Sequence, residues 1–126
     1  MTTIHYEEAP EFQGDLKKLL RRFRSLEQDL TLAKKTTIEL FHLHKINNLA
    51  VFPMPNFCSE KIMVCKIKKF ACHALKGRGA KSGIRVIYAF HPQEERVVFL
   101  EIYFKSDKEM EDRDRIKKYL KSLLIL

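Results

Sequence analysis

Two lysines set two apart in an alternating run, Lys66 and Lys68, are the most chemically suggestive pair in this 126-residue chain. Residues two apart on an extended strand share a face, so the two ammonium groups project together. Arg85, Ile87, Ala89 and His91 share a face of a second strand pattern, and Glu101, Tyr103 and Lys105 a face of a third. Paired in simple register, these strands would gather Lys66, Lys68, Arg85, Tyr103 and Lys105 on one side of a sheet, away from the helices. The charge pattern points the same way. From Lys61 to Gln93 there are eight basic residues and no acidic one, and the rest of the chain balances 16 basic against 16 acidic, so this stretch carries the whole net charge of +8. A cationic surface this localised suits a polyanion, above all nucleic acid; the plainer reading is a solvated basic hairpin. Lys61, Lys69, Lys76, Arg78 and Lys81 lie in the same stretch and are candidate contacts to a phosphate backbone. Metal-free cleavage of RNA would ask such a face for three things: a base for the ribose 2′-OH proton, cations for the charge on pentacoordinate phosphorus, and an acid for the leaving 5′-oxygen. A well-placed general acid or base contributes about 10²–10⁴-fold, and preorganised cations act on a similar scale.

Other chemistries find less support. His91 could titrate near neutrality, but before Pro92 it also reads as a turn residue. His42 and His44, two apart on a helical pattern, diverge and form no metal pair. Cys58, Cys65 and Cys72 are odd in number and contain no Cys-x-x-Cys, so neither a disulfide framework nor a zinc site is expected, and a reducing cytoplasm is the expected compartment. Cys65 suits a small buried hydrophobe. Gly77-Arg78-Gly79 is too short for a phosphate-cradling loop and opens no helix. No metal and no cofactor are expected. No apolar run approaches the ~20 residues of a membrane helix, and the N-terminus, with Glu7, Glu8 and Glu11, lacks the basic-then-apolar order of a signal peptide, so no membrane partner is expected.

The elements that must position these residues follow from periodicity. One domain, residues 1–126, is expected at this length. A short first strand over 3–7 precedes a helix opened by Pro10, whose missing N–H costs nothing in the first turn. Phe12, Leu16, Leu19, Leu20 and Phe23 recur at helical spacing. Ser25-Leu26-Glu27-Gln28 matches a capping box, and a second helix carrying Leu26, Leu30, Ala33, Thr37, Leu40 and Phe41 completes an antiparallel hairpin. Residues 47–60, with Pro53 and Pro55, read as a connection. Three strands follow, over 62–71, 83–91 and 96–105, joined by a Gly-rich basic turn and by Pro92-Gln93-Glu94-Glu95. A second capping box at Ser106-Asp107-Lys108-Glu109 opens a last helix that Ile116, Leu120, Leu123 and Leu124 dock on the sheet. The fold class is α+β: β-α-α-β-β-β-α, a helical hairpin packed on a mostly antiparallel four-stranded sheet.

That order, with Cys65-Lys66-Ile67-Lys68 and then Gly83-Ile84-Arg85-Val86-Ile87-Tyr88, resembles the RelE/ParE superfamily of bacterial toxins from type II toxin–antitoxin systems. The resemblance covers nearly the whole chain, includes Asp15-Leu16-Lys17-Lys18-Leu19 in the first helix, and extends to Glu101-Ile102-Tyr103-Phe104-Lys105. It implies a toxin held inactive by a cognate antitoxin: either a ribosome-dependent endoribonuclease cutting mRNA, as in RelE-like members, or a ParE-like poison of DNA gyrase, or an inactive nucleic-acid-binding descendant. Lys66 and Lys68 match the catalytic lysines of the RelE-like enzymes and Arg85 their phosphate-stabilising arginine. Neighbouring cations lower a lysine's pKa from about 10.4, so Lys68 is cast as the base, Arg85 and Lys66 as phosphate clamps, and Tyr103 or Lys105 on the acid side. Against these stand an exposed strand face for the lysines, an Arg85–Glu101 ion pair across the sheet and simple packing for Tyr103. The chain departs from the RelE pattern after the last strand. A second arginine and a tyrosine are expected there, and Ser106 and Asp112 stand at the nearest positions.

Overall fold

The computed structural model describes residues 3–75, 77, 79 and 81–124; Lys76 and Arg78, both expected phosphate contacts, lie outside the described residues. The chain forms β1 (His5–Glu8), α1 (Pro10–Leu20), α2 (Leu26–Ala33), a π-helical segment Lys34–Glu39 running into α3 (Leu40–His42), then β2 (Val51–Cys58), β3 (Met63–Ile67), β4 (Ile84–His91), β5 (Arg96–Phe104) and α4 (Arg113–Leu123). Pro10 opens α1 as its fixed φ favours, and Phe12, Leu16 and Leu19 turn inward one helical turn apart. The first expected capping box does not form. Ser25 has helical φ and ψ and its side chain caps nothing; the hydroxyl instead donates to Asp29 at 2.7 Å and accepts the Ala74 N–H at 2.8 Å, tying α2 to the chain after β3.

The sheet has five strands in the order β1-β5-β4-β3-β2, with β1 parallel to β5 and the other pairs antiparallel. The α+β class and the helical hairpin on the sheet are as expected, and the strand count is one higher. The extra strand is β2, expected to be a connection because of Pro53 and Pro55. It lies at the margin of the sheet, where a proline deletes no ladder bond if its missing N–H would have faced outward.

Two apolar clusters sandwich the sheet. On one face α1 and α2 bury Phe12, Leu16, Leu26 and Leu30 against Cys65, Ile67, Val86, Tyr88 and Phe99, with Phe12 and Phe99 stacked at 5.2 Å. On the other, Ile116 of α4 joins Val64, Ile87, Ala89, Val98 and Leu100. Each large apolar side chain taken fully out of water stabilises by roughly 1.5–3 kcal/mol. The last helix therefore shares the face of Lys66, which corrects the expectation of a cationic face free of helices. It also starts later than expected, at Arg113. The side chain of its N-cap, Asp112, accepts the Arg115 N–H at 3.1 Å. Ser106-Asp107-Lys108 is a turn instead, its Asp107 and Lys108 N–H groups bound to the Phe104 carbonyl at 2.9 and 3.1 Å. Gly83 precedes β4 with φ of +87°, and a Cβ there would stand 3.1 Å from the Phe104 ring.

Candidate functional site

Register builds the site from β3, β4 and β5. Lys66 pairs with Ile87 and Ile87 with Glu101; one row further along, Arg85 pairs with Tyr103. Directly opposed residues project from the same face, so Lys66, Arg85, Glu101 and Tyr103 come together as the alternation predicted. Lys68 follows the end of β3 and is held to them through its backbone, the Arg85 guanidinium donating to the Lys68 carbonyl at 2.9 Å. Its ammonium lies over the Phe52 ring at 4.6 Å from the centroid. Lys66 and Lys68 line a cleft of about 240 Å³ between β2, β3 and the start of α4, with Phe52, Met110, Glu111 and Arg113.

Two buried carboxylates neutralise part of this face. Lys66 Nζ donates to Glu111 Oε1 at 2.7 Å, and Arg113 Nε to Glu111 Oε2 at 3.1 Å. Burial alone would lower the Lys66 pKa; the Glu111 carboxylate and the Tyr103 phenol outweigh it, so it is raised. Lys66 is therefore a fixed cation and not a base. Burial would raise the Glu111 carboxyl, but Lys66, its own backbone N–H and Arg113 hold it below the usual range. Glu101, 2% exposed, does not pair with Arg85; it accepts from Lys108 and from the Asp112 N–H at 2.8 Å.

Tyr103 is 5% exposed, with the Lys66 and Lys108 ammonium groups 5.9 and 5.6 Å from its ring centroid. Among the described residues, its hydroxyl is the buried side-chain polar atom left without a hydrogen-bond partner. Burial raises its pKa, with the Lys66 ammonium pulling the other way, so the phenol keeps its proton. The remaining predicted residues are dispersed. Lys105 is exposed past the end of β5 and borders a separate depression of about 560 Å³ with Lys81 and Gly83. Lys69 is exposed just past Lys68, and Lys61 is exposed before the opposite end of β3. His91 is not in the site: its Nε2 meets the Tyr119 hydroxyl at 2.7 Å under α4, and burial, then Arg96, lowers its pKa. Cys65 is a buried thiol whose pKa burial pushes up to about 12. Among the described residues no group of three or more His, Cys, Asp or Glu side chains is placed to hold a metal ion.

Sequence reasoning missed Phe52, Lys108, Glu111 and Arg113. The first lay in a supposed connection and the others in a supposed helix. The visible signal was Asp112, a favoured N-cap residue type, which would have moved the helix start and freed Glu111.

No protein-family model matches the chain, and no curated protein matches it. Among solved structures, the archaeal RelE–RelB complex from Pyrococcus horikoshii OT3 contains a chain that superposes with a TM-score of 0.50 at 11% identity, over 83% of this chain and 97% of that one. The fold is RelE-like. At this identity the likeness lies in the backbone alone, and it bears out the expected fold. In the RelE-like frame of this chain, Lys66, Arg85 and Tyr103 occupy adjacent positions of the three central strands. No helix among the described residues is long and apolar enough to cross a membrane.

Proposed function

We propose that this protein is the toxin of a toxin–antitoxin pair, a metal-independent endoribonuclease that cleaves mRNA on the ribosome in the cytoplasm and is silenced by a cognate antitoxin. The supporting observation is the clustering of Lys66, Arg85 and Tyr103 on one face of a RelE-like sheet, with Lys68 beside Lys66 along the adjoining cleft. Lys68, exposed at the rim of the cleft, takes the 2′-OH proton. Arg85, oriented by the Lys68 carbonyl, and Lys66, held protonated, stabilise the phosphorane charge. Tyr103, a phenol that keeps its proton, donates toward the leaving 5′-oxygen. Lys61, Lys69, Lys76, Arg78, Lys81 and Lys105 serve the flanking backbone as long-range attraction. A second reading is favoured by the neutralisation of Lys66: a non-enzymatic ParE-like poison of DNA gyrase needs no free lysine. Induced expression of the wild type beside Lys68→Ala and Arg85→Ala, with mRNA ends mapped, tests both. Growth arrest with new internal cuts, lost in both variants, supports the nuclease. Arrest without cuts moves the assignment to gyrase, and harmless expression of folded protein overturns both.

A further inference from the structure

The acid-free stretch seen in the sequence is not acid-free in space. Segment 105–112 returns over Tyr103 and Glu101 before α4 begins. Residues 105–110 are all exposed, Met110 at 57%, so no apolar side chain anchors them. Residue 111 is the one that turns in, and it is a carboxylate placed on Lys66 at 2.7 Å, its side chain 3% exposed. The rest of the attachment is also polar: Lys108 to Glu101, the Asp112 N–H to Glu101, and Asp107 to Arg22 in the turn after α1. Beneath the segment the buried Tyr103 hydroxyl has no partner. A buried polar group in that condition is uncommon, and the Lys66 ammonium stands beside it, pulling its pKa down against burial.

We propose that segment 105–112 is an autoinhibitory strap, in which the Glu111 carboxylate takes, on Lys66, the position that a phosphodiester of single-stranded RNA occupies on binding. The inference rests on the nuclease reading for the identity of the polyanion and deepens it by assigning a closed state. The exchange is chemically even-handed. A carboxylate and a phosphodiester both accept charge-assisted bonds from an ammonium group at about 2.7–2.9 Å, so Lys66 passes from one oxyanion to another while Glu111 regains water. A strap held by ion pairs without apolar burial opens at low cost. Opening uncovers Tyr103, whose hydroxyl then meets a phosphate oxygen, and it frees Arg113 on the same cleft for the backbone.

The test compares Glu111→Gln with Glu109→Gln, which removes the same charge from an exposed position of the same segment. Binding of a fluorescent single-stranded oligoribonucleotide is followed by anisotropy at fixed salt. Glu111→Gln is expected to bind roughly 5–10-fold tighter than wild type, and Glu109→Gln to stay within about twofold. Amide hydrogen exchange on the wild type gives a reading that needs no variant: the Asp107, Lys108 and Asp112 amides should exchange faster when the oligoribonucleotide is bound. Equal affinities for the two variants, or slower exchange of those amides with RNA, overturns the strap. If expression proves harmless while Glu111→Gln tightens binding and the amides open, the strap stands and the nuclease reading falls. Growth arrest with mRNA cuts but no difference between the variants does the reverse.

Discussion

His42 makes this fold sensitive to acid in a way that can be worked through. The imidazole sits 5% exposed, stacked on Phe90 at 4.1 Å, its Nε2 2.7 Å from the Tyr88 hydroxyl. Burial pulls its pKa from 6.5 to about 4, with the Lys45 charge adding in the same direction. Tyr88 is held well above its usual range, chiefly by burial, so the phenol donates and the neutral ring accepts. Protonation is then easier in the unfolded chain than in the fold. Stability from this group is complete above the unfolded pKa near 6.5 and drains away as pH falls toward 4. A gap of about 2.5 units at 1.36 kcal/mol each comes to roughly 3 kcal/mol, most of it lost by pH 4.5. That is a large share of the ~5–15 kcal/mol holding a typical domain. The assay is urea unfolding of wild type and His42→Gln at pH 7.5, 6.5, 5.5 and 4.5. Gln keeps an acceptor for Tyr88 and does not titrate. The wild type should lose roughly 2–3 kcal/mol more than the variant across the series. Parallel loss in the two proteins would refute the reasoning, as would an NMR titration placing the His42 ring near 6.5.

Lys66→Ala should cost about 1 kcal/mol or less in chemical unfolding, because the strap lifts and Glu111 regains water with Arg113 still beside it; a loss of about 3 kcal/mol or more would show that Glu111 stays buried and that the strap does not open cheaply. Gly83→Ala should lower stability by about 1–3 kcal/mol, since it combines a positive φ with a Cβ 3.1 Å from Phe104; an unchanged melting temperature would show that the turn relaxes freely. Arg85→Ala should weaken oligoribonucleotide binding and reduce the slope of log affinity against log salt by about one; an unchanged slope would remove Arg85 from the phosphate contacts.

The parts legible in the sequence are those whose cause is local. Phe12, Leu16 and Leu19 mark α1 because burial repeats with the helical turn. Lys66 was placed on the correct face by strict alternation in β3. The side of the sheet that α4 would cover was not written in its own periodicity, which selects a helix face and not a sheet face. It was written in β4: Ile84, Val86 and Tyr88 alternate with Ile87 and Ala89, both sets apolar and fully buried, and a strand apolar on both sides needs cover on both. The pairing of Lys66 with Glu111 joins residues 45 apart. No spacing rule reaches that far, and the first capping box matched a pattern whose Ser25 hydroxyl is taken by Asp29 and the Ala74 N–H.

Pro53 and Pro55 have a consequence for assembly. A free sheet margin is a template on which another chain can continue the ladder. On β2 that template is interrupted at two places two residues apart, where no N–H exists to be offered. A second copy of this domain, or a partner's extended segment, continuing the ladder on that side would lack those two donors. The opposite margin, the four-residue His5–Glu8 strand, carries no proline and keeps all its outward donors for backbone pairing.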